Sequence, residues 1–228
     1  MTELWQGLLK AIQLIVSLDP EIMEIAGRSL AIAATSCCLA TLICLPLGSL
    51  IHFNRFRGKR LLTNVVQALY SVPTVAIGLF VFVFLSRAGP LGELGIMFTP
   101  IAIVLGQTLL ITPIILGLTI SALSGVDKAI SETAISLGAN RFQATTLTIR
   151  EARYAILTAV IMGFGRAISE VGLSLMVGGN IKGFTRTITT AISLETSKGD
   201  IELSMALGII LVFLALVINI ALNRLQQR

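Results

Sequence analysis

The sequence predicts an all-α integral membrane protein with five transmembrane helices. Three observations predict it. Of 228 residues, 55% are hydrophobic and 13% charged, with a mean hydropathy of +0.91, whereas soluble domains carry about 25% charged residues. Runs such as residues 29–51 contain no charge at all, and about 20 apolar residues suffice to cross a bilayer. The loops richest in Lys and Arg follow the first and third of these runs, so strict alternation places both on one side, as the positive-inside rule requires.

The elements follow in order. Residues 4–18 are apolar but interrupted by Gln6, Lys10 and Gln13. They are short for a span and read as an amphipathic helix lying at the interface, anchored by Trp5; the alternative is a sixth spanning helix. Asp19-Pro20-Glu21 ends this helix and starts another short one, so residues 1–28 form an N-terminal interfacial region and 29–228 the transmembrane domain. The first span, 29–51, carries Pro46 as a kink point, which helical bundles in lipid tolerate. Arg55, Arg57, Lys59 and Arg60 then crowd a short loop, which the charge rule makes cytoplasmic. The second span, 61–86, contains Ser71, Val72, Pro73 and Thr74. The loop after it has one basic and one acidic residue and lies outside. The third span runs from Pro100 to about Leu123, with Pro113 inside it. A polar loop, 124–153, adds Lys128, Arg141, Arg150 and Arg153 to the cytoplasmic side. The fourth span, 154–177, is stopped by Gly178-Gly179-Asn180. A polar external segment reaches Glu202, and the fifth span covers 203–222. The result is an N-terminus outside and a C-terminus inside.

Composition also excludes functions. Cys37, Cys38 and Cys44 lie within one apolar run without metal-site spacing, and His52 is the single histidine. A metal site and a His-activated nucleophile therefore lack their parts, and no catalytic residue is assigned. The G-x-x-x-x-G-K-[ST] phosphate loop is absent, as is any basic patch interleaved with aromatics of the kind that binds nucleic acid. The net charge of +5 is a topology signal. No secretory signal peptide is evident, because Glu3 stands where a basic region belongs. Five spans do not divide into the matched halves of an inverted-repeat carrier.

The loop at 127–153 is the most informative stretch. Asp127 is placed to cap a first helix in which Ile130, Ala134 and Leu137 form one apolar edge. Gly138 suits the left-handed position after a helix end. Asn140 with Gln143 resembles a capping box for a second helix. A compact helix–turn–helix in water, on a small membrane protein, reads as a docking surface. Here Glu132-Thr133-Ala134, with Gly138 after three intervening residues, resembles the EAA–Gly motif of ABC importer permeases. That family's motif continues as Ile-x-Leu-Pro, where this chain has Thr148-Ile149-Arg150-Glu151. The run Arg150-Glu151-Ala152-Arg153 resembles the tungstate-importer branch instead. The resemblance extends through 165–172 (GRAISEVG) and Gly178-Gly179-Asn180-Ile181.

This resemblance implies a type I importer permease fold with the loop as its coupling helices. Glu132, Ala134, Ile135, Leu137 and Gly138 would then meet a separate ATPase, present in two copies. ATP and magnesium would bind to that partner and no cofactor to this chain. It further implies a homodimer in the prokaryotic plasma (inner) membrane, surrounded by lipid and supplied by an extracytoplasmic oxyanion-binding protein.

Arg166 and Glu170 are the charges inside the fourth span. Each costs ~2.5–3.5 kcal/mol at mid-membrane, and four-residue spacing puts both on one face. Met162, Arg166, Glu170 and Ser174 form a single stripe on a continuous helix, and the two charges form an ion pair facing the bundle or a water-filled path; the plain structural reading is a lock between helices. The resemblance implies that this helix lines the translocation path at a dimer interface. Arg166 and Glu170 then act at or behind a gate, with Ser174, Pro73 and Thr74 on the same path and Ser71 and Ser169 as neutral donors. A tight anion site is not expected, since conduction needs sites that an ion can leave. The expected function is ATP-driven import of a tetrahedral oxyanion, tungstate first, then molybdate, then sulfate. A passive anion channel or secondary carrier is the alternative of a different class.

Overall fold

The computed structural model describes residues 2–226, and no strand occurs among them. Eleven helices follow one another: α1 (Thr2–Val16), α2 (Pro20–Phe53), α3 (Lys59–Ala68), α4 (Thr74–Leu85), α5 (Pro100–Ser124), α6 (Lys128–Ser136), α7 (Arg141–Glu151), α8 (Arg153–Ile168), α9 (Gly172–Gly178), α10 (Ile188–Lys198) and α11 (Ile201–Gln226). Three of them, α2, α5 and α11, are long and apolar enough to cross a membrane; five spans result when each of two broken pairs counts as one. At 15 residues, α1 falls short of the roughly 20 that a span needs, and Trp5 is exposed.

Four expectations need correction. Asp19 starts a helix, accepting from the N–H groups of Glu21 and Ile22 at 3.0 and 3.1 Å, and Pro20 suits the first helical position. No separate short helix follows, however. α2 runs unbroken for 34 residues, about 51 Å at 1.5 Å per residue, because no helix breaker stands before Pro46. The second predicted span is not one helix. It divides into α3, a 3₁₀ turn at Leu69–Ser71, and α4. Pro73 forces the residue before it out of the helical region, and Val72 has ψ 128°. The fourth predicted span breaks too, between Ile168 and Gly172, with a 61° bend. Finally, the segment after Asn180 is not an open polar loop. Thr187 caps α10 through a reciprocal box with Thr190, and Ile188, Thr189, Thr190 and Ala191 are buried. The charges of this segment cluster at its ends, which left its uncharged middle free to pack.

The chain forms two compact units. The first comprises Met1–Ser36, Pro73–Leu110 and Gly165–Arg228. Its core joins Ile22, Ile25, Ile188, Ala191, Leu207 and Ile210. α1 packs on α11, with Lys10 reaching Glu202 at 3.9 Å. α4 packs closely on α9. A Cβ at Gly78 would stand 3.0 Å from Leu173 Cα and 3.1 Å from Met176 Sδ. The first of these is backbone and cannot yield, so overpacking is expected. Gly78→Ala should lose about 1–3 kcal/mol, read as a lower thermal midpoint in detergent. Gly27→Ala has nothing within 4 Å of its new Cβ and should be neutral or stabilising by up to about 1 kcal/mol. Equal midpoints for the two variants would refute the close approach.

The second unit comprises Cys37–Val72 and Ile111–Phe164. Leu123, Ala152 and Ile156 form one of its clusters. The hydroxyl of Ser124 meets His52 Nδ1 at 3.2 Å, so α2 and α5 end level with each other. Both basic loops of the sequence lie in this unit.

Candidate functional site

The first site is the α6–α7 pair of the second unit. Asp127 caps α6 by accepting from Ala129 N–H at 3.0 Å. Gly138 has φ +91° with open space where a Cβ would sit, so glycine is needed there for the backbone angle and not for room. Its N–H donates to Ile135 O at 2.9 Å, and Ala139 N–H to Ala134 O at 3.0 Å. These are the two bonds of a Schellman ending. Asn140 and Gln143 exchange side-chain and backbone bonds, both at 2.8 Å, which fixes the start of α7. Ala144 and Thr148 bury the inner face of α7.

The structure divides the predicted contact residues between two faces of α6. Ala134, Leu137 and Gly138 line an open groove with Ile130, Thr133 and Leu147. Glu132 and Ile135 lie outside that groove, both exposed. Leu137 is 84% exposed, and so, at 79%, is Phe142 in the first turn of α7. Phe142 was missed in the sequence. Its mark there is a lone aromatic in a polar run directly after an N-cap, a position with no burial to explain it. Leu137 and Phe142 thus leave large apolar side chains uncovered on two short, capped helices.

The second site is the α8–α9 break in the first unit. Arg166 Nη1 donates to Glu170 Oε2 at 3.0 Å. Glu170 Oε1 accepts the Leu173 N–H at 2.9 Å, satisfying a free donor at the start of α9. The backbone carbonyl of Glu170 accepts the Thr189 hydroxyl at 2.8 Å. The Glu170 side chain is 2% exposed and that of Arg166 34%. The ion pair therefore exists, but the helical stripe does not. Because α8 ends at Ile168, Met162 faces outward while Ser174 is buried on α9. The Ser174 hydroxyl has no hydrogen-bond partner among the described residues. Pro73 and Thr74 belong beside this break. A Cβ at Gly172 would lie 3.2 Å from Val75 Cγ2, 3.7 Å from Thr74 Oγ1 and 3.8 Å from Glu170 Oε1. The breaks of the second and fourth predicted spans thus meet at a glycine. Ser169 donates to the Arg166 carbonyl at 3.1 Å, and Ser71 is exposed.

The sequence reading missed the threonines behind the break. Thr185 donates to Gly178 O at 2.6 Å and accepts from Ile181 N–H at 2.9 Å. Ser29 on α2 accepts from Ile188 N–H at 2.8 Å. Four hydroxyls among residues 185–190 were the available sign. No group of three or more His, Cys, Asp or Glu fit to hold a metal occurs among the described residues.

Comparison with known proteins gives these features a family. Residues 44–228 match the family described as binding-protein-dependent transport system inner membrane component, and the chain belongs to that family. The tungstate uptake system permease protein TupB of Peptoclostridium acidaminophilum is 40% identical, over 97% of each chain. TupB of Campylobacter jejuni is 36% identical over 98% of this chain and 94% of the other. The molybdenum transport system permease protein ModB of Escherichia coli is more distant, 30% identical over 71% of this chain and 77% of its own. Among solved structures, the inward-facing MetNI methionine ABC transporter aligns with a TM-score of 0.76 at 19% identity, over 92% of this chain and 97% of the other. The fold is that of the type I importer permeases. The protein is a membrane permease subunit of an ABC importer, a transport component and not an enzyme.

Proposed function

We propose that this permease imports tungstate as a homodimer, with two ATPase subunits at its cytoplasmic face and an extracytoplasmic oxyanion-binding protein opposite. The substrate rests on one observation, the 40% identity over nearly the whole of both chains to a tungstate permease. Molybdate and sulfate follow, in the order of their relatives' similarity. Mg-ATP binds the ATPase chains, and this chain holds no cofactor. The two basic loops face the cytoplasm, the N-terminus lies outside with α1 at the interface, and the C-terminus lies inside.

The α6–α7 pair is the coupling element. Leu137, Ala134 and Gly138 offer an apolar groove edge, Ile135 a second apolar contact, and Glu132 a carboxylate for a basic group on the ATPase. Closure of the ATPase pair on ATP draws the coupling helices together and turns the path outward. At the break, Glu170 neutralises Arg166, so a dianion meets no fixed net charge that would trap it. Ser174 and Thr74 supply neutral hydroxyls there, and Pro73 keeps the adjoining helix interrupted. A passive channel leaves the exposed, capped α6–α7 surface without a purpose.

The test is ATP hydrolysis by the purified complex in lipid, with its binding protein, titrated with tungstate, molybdate and sulfate. Stimulation is expected at the lowest concentration with tungstate. First stimulation by molybdate or sulfate would replace the substrate and keep the importer. Absence of a copurifying ATPase would overturn the coupling assignment.

A further inference from the structure

One charged surface has no part in the transport cycle described above: the turn joining α2 to α3 and the first residues of α3. Arg55, Arg57 and Arg60 are exposed, and none forms an ion pair among the described residues. Lys59 is used differently. Its Nζ donates to the carbonyls of His52 at 2.6 Å and Asn54 at 3.3 Å, closing the C-terminal end of α2. That bond, and the His52–Ser124 contact at 3.2 Å, hold the turn against the level ends of two helices long and apolar enough to span. The arginines therefore stand at the depth where an apolar span gives way to headgroups.

Their neighbours are not those of a solvated face. Phe56 and Leu62 are exposed, and Leu61 is 68% exposed. α3 is 10 residues long, basic at its start, and buries only Val66. Basic residues in its first turn and uncovered leucines directly after them place the start of α3 at the headgroup boundary, where a broken span enters the apolar layer. Arginine beside such a helix matches phosphate with its planar fork, and a basic cluster directly cytoplasmic of a span is attracted to anionic lipid. A second copy of this chain is a poor occupant, because a two-fold contact repeats the same patch on both sides and would bring like charges together.

We propose that residues 55–62 form a binding surface for anionic phospholipid. Arg55, Arg57 and Arg60 hold the headgroup phosphate, and Phe56, Leu61 and Leu62 enter the glycerol and upper acyl region. The inference rests on the proposed cytoplasmic side of this loop and is independent of which oxyanion is carried.

The experiment titrates the purified permease, with the ATPase that copurifies with it, in detergent with phosphatidylglycerol and with phosphatidylcholine, and counts retained lipid and ATPase by native mass spectrometry. Wild type should retain phosphatidylglycerol about tenfold over phosphatidylcholine, and the preference should shrink as salt rises and screens the contact. The triple variant R55Q/R57Q/R60Q should bring the two lipids near parity. Arg87→Gln, an exposed arginine on a different loop, should keep the preference. The salt arm needs no variant, so it still decides if the triple variant fails to fold. The proposal falls if wild type shows no preference, if salt leaves the preference unchanged, or if R55Q/R57Q/R60Q retains phosphatidylglycerol as wild type does. It also falls if that variant loses the ATPase while lipid retention is unchanged, which would assign the surface to a protein partner.

Discussion

Glu170→Ala is expected to destabilise the permease by about 3 kcal/mol. The residue does three things at once. It pairs Arg166, caps the Leu173 N–H, and presents its carbonyl to Thr189. Alanine keeps only the carbonyl. It leaves a half-buried guanidinium without its partner and a buried backbone donor unsatisfied, and each is costly where burial limits replacement by water. The partial exposure of Arg166 (34% of its side chain) lets water recover some of the loss, so the figure sits at the lower end for a broken buried pair. For a chain of this size it corresponds to a fall in thermal midpoint of roughly 6–12 °C. Glu170→Gln should lose less, because the amide oxygen still accepts from Leu173. The double variant R166Q/E170Q should be more stable than E170A, since no unpaired charge remains. In transport assays, E170Q leaves Arg166 uncompensated in the proposed path, so import should slow while substrate is held more tightly, and R166Q/E170Q should recover rate. If all three variants melt with wild type, the pair does not hold the break.

How much of this could be read in advance depended on whether the deciding interaction was local. The α6–α7 pair was legible to the residue, because Asp127, Gly138 and the Asn140–Gln143 box are each set by neighbours within a few positions. The α2, α5 and α11 spans followed from unbroken apolar runs of sufficient length. The breaks were less visible. Pro73 was noted, but its effect on Val72 was overridden by the apolar run on either side, which reads as one span. Nothing at 169–171 is a helix breaker by type. Glu170 ends α8 there by turning its carboxylate to Leu173 N–H, and its carbonyl is taken by Thr189, 19 residues on. A pattern of period 3.6 could not foresee that, so it placed Ser174 and Met162 on one face. The same applies to the start of α10, where Thr187 and Thr190 satisfy one another and Ser29 accepts the Ile188 N–H, so that these groups could be buried.

The coupling surface makes the second large prediction. Leu137→Asp is expected to weaken ATPase association about 30-fold, while leaving the permease's own thermal midpoint nearly unchanged. Leu137 is 84% exposed in the isolated chain, so its removal costs the fold little; surface substitutions of this kind stay within about 0.5 kcal/mol. Covered by a partner, the same side chain would be a fully desolvated anchor, for which truncation costs about 2 kcal/mol or more, and about 1.4 kcal/mol is tenfold in affinity. An aspartate adds a charge to an apolar contact and should do at least as much. The two faces of α6 make the result specific. If the groove edge docks, Leu137→Asp outweighs Ile135→Asp; if the opposite edge docks, Ile135→Asp and Glu132→Ala outweigh Leu137→Asp. Gly138→Ala acts differently, through the +91° backbone angle, at about 1–2 kcal/mol of local strain that displaces α7 relative to α6. It should therefore lower coupled ATP hydrolysis with little loss of association at saturating ATPase. Copurification of ATPase at the wild-type ratio by Leu137→Asp, Ile135→Asp and Glu132→Ala alike would remove α6 from the interface. The exposed leucine and phenylalanine of this loop would then need another partner to cover them.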